Sequence, residues 1–251
     1  MADVTPPGEA EQVLRVLEEI IGVVSHDLRN PLGTILMGAS TLLHGADPND
    51  PKLARIRGVA DRMQRQAERM ARLIGDLVDF SAILGKRFTI AAKPSDPARV
   101  LEAAAVALAP LCADRGIELG TSLDGAGAAE LPSIACDGER VVQLALVLGA
   151  AGLKVAPRGS TISRRFEPEA GGARFFVVLP LPAITDAQLP RLFDRGWWIA
   201  TPGYTSAAFA FTLAAGIAEA HGAQVRADRV GDVGAGMIAI SMAFKPATAA
   251  A

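Results

Sequence analysis

The sequence predicts an α + α/β protein: a hairpin of two long helices, followed by a two-layer α/β sandwich. Two observations predict this division. Apolar residues recur every seven positions over residues 13–44 and again over 51–84, the pattern of long packed helices. Beyond these helices the sevenfold repeat ends, and helix-like and strand-like segments alternate, as in a layered α/β fold. The predicted regions are a disordered N-terminus (1–10), the helical hairpin (11–85), the α/β domain (86–245) and a disordered tail (246–251).

The composition excludes several classes of function. The 251 residues include 25 basic and 27 acidic side chains, and this balance gives no clustered basic surface for nucleic acid or for an anionic membrane. No run approaches the ~20 apolar residues that span a bilayer, and the N-terminus lacks the features of a signal peptide. Cys112 and Cys136 are predicted to be buried free thiols. We therefore expect a cytoplasmic protein that binds neither nucleic acid nor membranes.

Each helix of the hairpin carries two apolar rows at the a and d positions of a heptad. The rows of the first helix are Leu14, Ile21, Leu28, Ile35 and Leu42, and Leu17, Val24, Pro31 and Gly38. Those of the second are Ile56, Met63, Met70, Leu77 and Leu84, and Val59, Gln66, Leu73 and Phe80. Because two such helices cannot bury both faces alone, we expect a homodimer whose hairpins form a four-helix bundle. The outward stretch RMQRQAERMAR is interpreted as a solvated face with i,i+4 partners.

A cluster of reactive and charged residues, HDLRNPL, interrupts the first helix. With Val24 on an inner row, His26 falls at the solvent-facing f position, and Asn30 follows one turn later on the same flank. Pro31 lies on the inner row, where it removes a helical hydrogen bond and bends the axis. A neutral imidazole is a competent nucleophile near pH 7, and an adjacent acid such as Asp27 can orient it or take its proton.

This cluster resembles the phosphoacceptor box of sensor histidine kinases, which reads roughly H-[ED]-L-[RK]-[NT]-P-L. The resemblance implies that His26 accepts a phosphoryl group, that Asp27 orients or deprotonates it, and that Asn30 positions a water for dephosphorylation of a docked partner. The implied partner is the receiver domain of a response regulator. The residues expected to contact that partner are Arg29, Pro31 and Leu32.

The α/β part is similar to the catalytic, ATP-binding domain of the same kinases. The segment DGERVVQLALVLGAAGLKVAP resembles the family's asparagine-bearing helix. AITDAQLPRLFDR resembles the segment after the D-x-G-x-G turn, and GIAEAHGAQVRA resembles the end of the helix after the second glycine box. The implied fold is a two-layer sandwich of the histidine-kinase ATPase type. His221, at the end of the last helix, is predicted to be a capping or core residue.

The residues by which that family holds nucleotide are replaced here. The two asparagines fall on Val147 and Ala151, and the aspartate that hydrogen-bonds adenine falls on Leu179. The positions that lack a family glycine are Leu181, Ala183, Ala208 and Ala210. Losing two or three hydrogen bonds to charged groups, together with the metal, removes about 6 kcal/mol of binding free energy. The resemblance therefore implies that ATP binding is lost, with no cofactor on this chain and Mg²⁺ only on the partner receiver domain.

Together these features most resemble the dimeric pseudokinase histidine phosphotransferases. We expect the chain to relay a phosphoryl group between His26 and receiver-domain aspartates in a two-component phosphorelay, below a hybrid sensor kinase and without ATP. Three alternatives stay open: an atypical soluble sensor kinase that autophosphorylates His26 with ATP, a response-regulator phosphatase using Asn30, and a non-enzymatic regulatory pseudokinase. Trp197 and Trp198 are expected either to fill the vacated pocket or to bind a partner.

Overall fold

The computed structural model of the chain describes residues 24, 27, 28, 30, 31, 33–35, 37, 38, 52–121, 131–169, 171–194, 205–231 and 236–247. The chain divides into two compact units, Met1–Ala82 and Ile83–Ala251. The predicted disordered N-terminus lies outside the described residues, as do His44, Trp197 and Trp198.

The first unit is a helical hairpin, as predicted. All described residues between 24 and 38 are helical, and the second helix, α1, spans Lys52–Leu84. Gly38 approaches α1 so closely that a Cβ atom there would lie 2.5 Å from Sδ of Met63 and 3.3 Å from Cγ1 of Val59. The inner rows predicted from the heptad pattern therefore face each other at this level.

Burial within the hairpin follows the predicted rows. In the first helix the second row is buried at Val24, Pro31 and Gly38. The corresponding residues of α1 are half-buried at Met63, Gln66, Met70, Leu73 and Leu77. Two further apolar side chains of α1 are largely exposed, Ile74 at 50% and Val78 at 62%. One chain alone therefore leaves apolar surface on α1 in contact with water.

The second unit is the predicted two-layer α/β sandwich. Its helices are α2 (Pro97–Ala113), α3 (Gly138–Val155) and α4 (Thr205–Ala220), with a 3₁₀ turn at Asp186–Arg191. Its strands are β1 (Lys93–Ser95), β2 (Glu118–Thr121), β3 (Ile134–Cys136), β4 (Thr161–Glu169), β5 (Gly172–Pro180), β6 (Val225–Val230) and β7 (Met237–Phe244). The main sheet has the order β2-β4-β5-β7-β6, parallel between β2 and β4 and antiparallel elsewhere. A separate antiparallel ladder joins β1 to β3.

Two helices of the sandwich begin at aspartates that act as N-caps. The side chain of Asp96 accepts a hydrogen bond from the backbone N–H of Ala98, and Pro97 occupies the first helical position, which needs no N–H donor. Asp137 caps α3 by accepting from the backbone N–H of Arg140. These caps mark where α2 and α3 begin.

The hydrophobic core lies between the main sheet and its helices. Strand β5 alternates, so that Ala173, Phe175, Val177 and Leu179 face inward and join a core built with residues of α2, α3 and α4. The exception is Arg164, which is buried on the inner face of β4. Its guanidinium donates to the backbone carbonyl oxygens of Leu101, at 3.0 Å, and Gly120, at 3.4 Å. These carbonyls replace the water that a buried charge loses.

The backbone remains paired beyond β7, which corrects the predicted start of the disordered tail. The N–H of Ala135 donates to the carbonyl of Lys245, Pro246 forms a bridge with Ile134, and the N–H of Ala247 donates to Ser133. The free edge of β3 has backbone groups that need partners, and residues 245–247 supply them. Residues 248–251 lie outside the described part of the chain.

Both cysteines are buried and unpaired, as predicted. Burial raises the pKa of the Cys112 thiol and of the Cys136 thiol, and a protonated, enclosed thiol is a poor nucleophile or metal ligand. Within the described residues, no group of three or more His, Cys, Asp or Glu side chains is arranged to hold a metal ion. Among the described helices, none has both the length and the apolar character required to cross a bilayer.

Candidate functional site

The predicted phosphoacceptor segment is helical wherever the structure describes it. Asp27 is half-buried, Asn30 is exposed and Pro31 is buried. The hydroxyl of Thr34 donates to the carbonyl oxygen of Asn30 at 3.2 Å, across the turn in which Pro31 supplies no N–H. The amide side chain of Asn30 is therefore open to an approaching molecule. The predicted contact of Pro31 with a partner stays a prediction.

Three other predicted residues of this segment, His26, Arg29 and Leu32, lie outside the described residues. Their roles stay predictions that rest on the sequence. The described neighbours on both sides of His26 are helical.

The two positions that are predicted to correspond to the family's asparagines lie on the buried side of α3. Val147 and Ala151 are both part of the hydrophobic core. Gly152 is packed so closely that a Cβ atom there would lie 3.1 Å from Cδ2 of Leu179. A valine and an alanine have no side-chain oxygen, so neither position can ligate a hard cation such as Mg²⁺.

The end of β5 is equally apolar. Leu179 is 0% exposed and Leu181 is 1% exposed, and both belong to the same core as Val147. The N–H of Leu181 donates to the carbonyl of Gly236 at 2.8 Å. A side chain in this position contacts hydrocarbon on all sides, which disfavours a carboxylate or a bound polar base there.

The remaining predicted positions differ in burial. Ala210 of α4 is buried in the core, whereas Ala183 is exposed. Ala208 is helical, and its side chain lies outside the described part of the structure. Five of the seven positions therefore share one hydrophobic core: Val147, Ala151, Leu179, Leu181 and Ala210.

The segment that follows β5 is tied to the sheet edge and to the core. The guanidinium of Arg229 on β6 donates to the carboxylate of Asp186 and, at 2.6 Å, to the carbonyl oxygen of Ile184. Leu192 is fully buried, and Phe193 meets Phe211 edge-on with ring centroids 5.8 Å apart. These contacts fix residues 184–193 against the sheet and the core of the second unit.

His221 links the end of α4 to the start of α3. Its Nδ1 lies 2.7 Å from the carbonyl oxygen of Ile217, and its Nε2 accepts the backbone N–H of Asp137 at 3.1 Å. Because Nε2 accepts, these partners assign the neutral tautomer with the proton on Nδ1. Burial lowers the pKa of His221, against the opposing effects of the Ile217 carbonyl and the Asp137 charge. The predicted capping role is confirmed.

A groove of about 530 Å³ lies at the opposite end of β5 from Leu179. The side chains of Arg174, Glu169, His221 and Lys245 contribute to its lining. Arg174 is paired with Glu169 at 2.5 Å and also donates to Ser241 at 3.3 Å, so its guanidinium is already engaged by the protein. None of the positions assigned to nucleotide binding lines this groove.

The stretch RMQRQAERMAR of α1, interpreted from the sequence as a solvated face, contains four exposed arginines. Arg62, Arg65, Arg69 and Arg72 are exposed, and no ion pair within the described part of the chain involves them. An i,i+4 hydrogen bond is present on this stretch, in which the side-chain amide of Gln64 donates to the carboxylate of Glu68 at 3.0 Å. The signal in the sequence was the recurrence of arginine at spacings of three and four residues.

Comparison with known proteins bears on both units. Residues 16–85 match the family model of HisKA, the His Kinase A (phospho-acceptor) domain. The curated relatives include the autoinducer 2 sensor kinase/phosphatase LuxQ of Vibrio parahaemolyticus (25% identical) and that of Vibrio cholerae (30% identical), each over 111 residues. These alignments cover 44% of this chain and 12% of each relative, so the chain spans about an eighth of their length.

Solved structures extend the likeness to the whole described fold. The histidine kinase AdeS of Acinetobacter baumannii superposes with a TM-score of 0.53 at 14% identity, covering 88% of this chain and 97% of AdeS. Full-length ShkA in complex with AMPPNP superposes with a TM-score of 0.59 at 20% identity, covering 93% of this chain and 47% of ShkA. Residues 16–85 are similar to a HisKA domain, and the fold is similar to those of these two histidine kinases. At these identities the structural likeness shows the fold.

The box HDLRNPL lies within the matched range 16–85 and agrees with the kinase pattern at every position. In the α/β unit the fold is similar to that of the kinases. Most of the positions that the sequence comparison predicts to correspond to nucleotide contacts hold buried aliphatic residues.

Proposed function

We propose that the chain is a histidine phosphotransferase of two-component signalling, which exchanges a phosphoryl group between His26 and the aspartates of receiver domains without using ATP. One observation carries the proposal. A phosphoacceptor box that matches the kinase pattern is joined to a kinase-like sandwich whose nucleotide positions are apolar and buried. A chain with an acceptor histidine and no phosphoryl donor of its own requires a donor on a partner.

The proposed step is a displacement at phosphorus. An imidazole nitrogen of His26 forms the N–P bond while the P–O bond to the aspartyl carboxylate of the receiver breaks, and the carboxylate leaves with the electron pair. The imidazole proton then passes to Asp27 or to solvent, which leaves a neutral phosphoramidate ring. The reverse reaction returns the phosphoryl group to a second receiver. Mg²⁺ in this step belongs to the receiver domain.

The residues of the sandwich do not fit magnesium-ATP, and this supports a partner as the donor. The metal would meet Val147 and Ala151 instead of amide oxygens, and adenine would meet Leu179 instead of a carboxylate. Each lost hydrogen bond to a charged group weakens binding by ~1.5–3 kcal/mol. Leu179 and Leu181 are moreover enclosed by the core, so no space is left at their side chains.

We further propose that the chain works as a homodimer. Ile74 and Val78 expose apolar surface on one flank of α1, next to rows that one hairpin leaves half-buried. A second hairpin related by a twofold axis would cover this flank and complete a four-helix bundle. The HisKA match supports this arrangement, because HisKA domains are typically dimers.

The test uses the full chain and receiver domains of the source organism, each loaded with radiolabelled phosphoryl. We expect label to move from at least one receiver to the chain, and His26→Ala to abolish this transfer while the helical circular dichroism stays unchanged. Incubation with radiolabelled ATP is expected to give no labelled protein. Label on His26 from ATP would overturn the ATP-independent proposal and establish the kinase alternative. Absence of transfer from every receiver would reject phosphotransfer.

A second candidate function is dephosphorylation of the receiver, and the exposure of Asn30 favours it. An exposed amide one turn beyond His26 can hold a water against the aspartyl phosphate of a docked receiver. Under this alternative, Asn30→Ala slows release of inorganic phosphate from the receiver, whereas His26→Ala leaves that release intact. Under phosphotransfer, His26→Ala abolishes the movement of label from the receiver to the chain, whereas Asn30→Ala leaves that movement intact.

A further inference from the structure

We propose that the groove at the end of the main sheet binds a small organic anion that also carries a hydroxyl group. This strand-end groove is lined by residues 90, 92, 135, 169, 174, 220–224, 226 and 243–246. All of them belong to the second unit. The inference goes beyond the proposed function and does not depend on it, because it concerns a site without any residue of the phosphoacceptor hairpin.

The strand-end groove has the size and the lining of a small-ligand site. Its volume of about 530 Å³ lies within the range of roughly 300–1,000 Å³ that such sites occupy. Small side chains make up much of its wall and leave the space open: Ala92, Ala135, Ala220, Gly222, Ala223 and Ala243.

The sheet places basic side chains on both sides of this space. Strand β7 lies between β5 and β6, with Arg174 opposite Ala243 and Arg226 opposite Ser241. These four residues share one face of the sheet, because Ser241 and Ala243 are two positions apart on β7. Two strand spacings separate β5 from β6, about 10 Å. The two arginines therefore flank a trough whose central strand carries only small side chains.

The groove carries positive charge that the protein leaves unpaired. Three cations and one carboxylate line it, an excess of two, in a chain whose formal charge is −2. Arg174 is neutralised by Glu169, 2.5 Å away. Arg226 and Lys245 are exposed, and no ion pair among the described residues involves either side chain. The anionic group of a ligand would supply the missing negative charge.

One carboxylate oxygen of the groove lacks a donor. Oε1 of Glu169 binds Arg174, whereas Oε2 is shielded from water and accepts no hydrogen bond from the described residues. An enclosed acceptor without a donor is unfavourable. The whole side chain is 36% exposed, so a small rotation about its soft terminal torsion brings Oε2 to a ligand. Because Arg174 would repel a second cation here, a neutral hydroxyl is the donor that fits.

An apolar wall completes the site. Phe244 is buried, and its ring meets that of His221 edge-on with centroids 5.5 Å apart. The two ring nitrogens of His221 are engaged by Ile217 and Asp137, so this imidazole leaves no nitrogen for a ligand. Ile90 adds a half-buried aliphatic side chain. These residues suit a hydrocarbon stem between the anionic group and the hydroxyl.

A free small molecule is the occupant that these features favour. The unpaired cations, the oxygen without a donor and the apolar wall converge on one concavity, as they do in small-molecule sites. Nucleic acid and anionic membranes are instead bound by basic surfaces that extend over many side chains.

The test measures binding to the full chain by isothermal titration calorimetry. The main probe is 3-hydroxyoctanoate, which has the anionic group, the stem and the hydroxyl. Octanoate lacks the hydroxyl, octan-1-ol lacks the charge, and glycerol 3-phosphate replaces the carboxylate by a phosphate. We expect 3-hydroxyoctanoate to bind with a Kd of about 1 mM or tighter, octanoate to bind more weakly, and octan-1-ol not to bind. Tighter binding of glycerol 3-phosphate would support the site and identify phosphate as its preferred anion.

Two variants separate the roles of the side chains. Arg226→Ala/Lys245→Ala is expected to raise the Kd of both carboxylates by about tenfold or more and to keep the preference for the hydroxyl. Glu169→Ala is expected to remove that preference, so that 3-hydroxyoctanoate and octanoate bind equally.

The matched control is Arg99→Ala/Arg158→Ala, which removes two exposed arginines of the second unit that lie outside the groove. It is expected to bind both carboxylates as the wild type does. Thermal melting of each unliganded variant reports that it is folded, and Arg226→Gln replaces the double variant if that one is not.

Absence of saturable binding of every probe would overturn the site, and so would equal affinities of the groove variant and the control. Binding of octan-1-ol as tight as that of octanoate would reduce the groove to an apolar crevice. A hydroxyl preference that survives Glu169→Ala would overturn the role of Oε2. Binding of phosphatidylglycerol vesicles that depends on Arg226 and Lys245, with no binding of the free anions, would overturn the small-molecule occupant.

Discussion

Leu179 shows how one residue decides what a cavity can hold. It is predicted to correspond to the adenine-binding carboxylate of the kinase family, and its side chain is fully buried and packs against Gly152 of α3. The residue type could be read from the sequence by alignment, because aliphatic side chains stood where polar ones were required. The closeness to Gly152 could not be read, since it depends on how β5 and α3 pack together.

Reinstating the family carboxylate by Leu179→Asp is expected to destabilise the fold without creating a nucleotide site. A buried, unpaired carboxylate must lose its hydration, so we expect the free energy of unfolding to fall by about 3 kcal/mol or more. Ala183→Asp is the matched control, because Ala183 is exposed and the change there should stay within about 0.5 kcal/mol. Urea denaturation followed by circular dichroism measures both. Equal stability of the two variants would contradict the closed core.

The buried side chain of His221, which links α4 to the start of α3, predicts that the free energy of unfolding depends on pH. Burial lowers the folded-state pKa of His221 below its ordinary value of about 6.5. At pH values between the folded-state pKa and the ordinary pKa, the unfolded chain binds more protons than the folded chain. The free energy of unfolding therefore rises with pH through this window, and the contribution of His221 to it decreases as the pH falls below about 6.5. Protonation also breaks the hydrogen bond that Nε2 accepts from Asp137.

The measurement is thermal unfolding of the wild type and of His221→Gln between about pH 7 and about pH 5. Glutamine can donate to Ile217 and accept from Asp137 without titrating. We expect the wild type to lose more stability than the variant as pH falls. Parallel curves would remove His221 as the cause.

The packing of the hairpin depends on one small residue, Gly38. It lies at a close approach of the two helices, and a side chain there would meet Met63 and Val59. The heptad pattern placed Gly38 on an inner row, but it gave no distance between the helices. The absent Cβ is what permits the close approach.

Gly38→Leu is therefore expected to force the helices apart and to lower the melting temperature of the hairpin, with an overpacking cost of about 1–3 kcal/mol. Gly33→Leu is the control, since a Cβ atom at Gly33 meets nothing within 4 Å and a better helix former replaces glycine there. Circular dichroism melts at the helical signal distinguish the two. A control that melts as early as Gly38→Leu would show that helix propensity, rather than contact, governs the effect.

Most elements of the sandwich could be predicted from alternation, caps and turns, and two features show where such reasoning ends. Strand β3 has three residues, too few to display a period, and exists because β1 and residues 245–247 pair with it. Arg164 occupies an inward position of β4, where the alternating pattern calls for an apolar residue. Its charge is accommodated by carbonyls of Leu101 and Gly120, which are distant in sequence.

At the scale of the whole molecule the exposed apolar flank of α1 predicts self-association. Ile74→Glu/Val78→Glu places two like charges on each side of the proposed twofold contact, so we expect the chain to become a monomer. Val106→Glu is the control, since Val106 is 71% exposed on α2 of the other unit and should leave the dimer intact. Light scattering after size-exclusion chromatography gives the mass. A monomeric wild type, or a dimeric double variant, would contradict the bundle.

The short C-terminal extension of β7 has a practical consequence. Its backbone caps β3 through the bonds at Lys245 and Ala247. Truncation of the chain after Phe244 would remove these hydrogen bonds and leave β3 with an unpaired edge. Unpaired strand edges pair with other polypeptides and promote insoluble aggregation. Truncations and fusion tags are therefore better placed beyond residue 247 than before it.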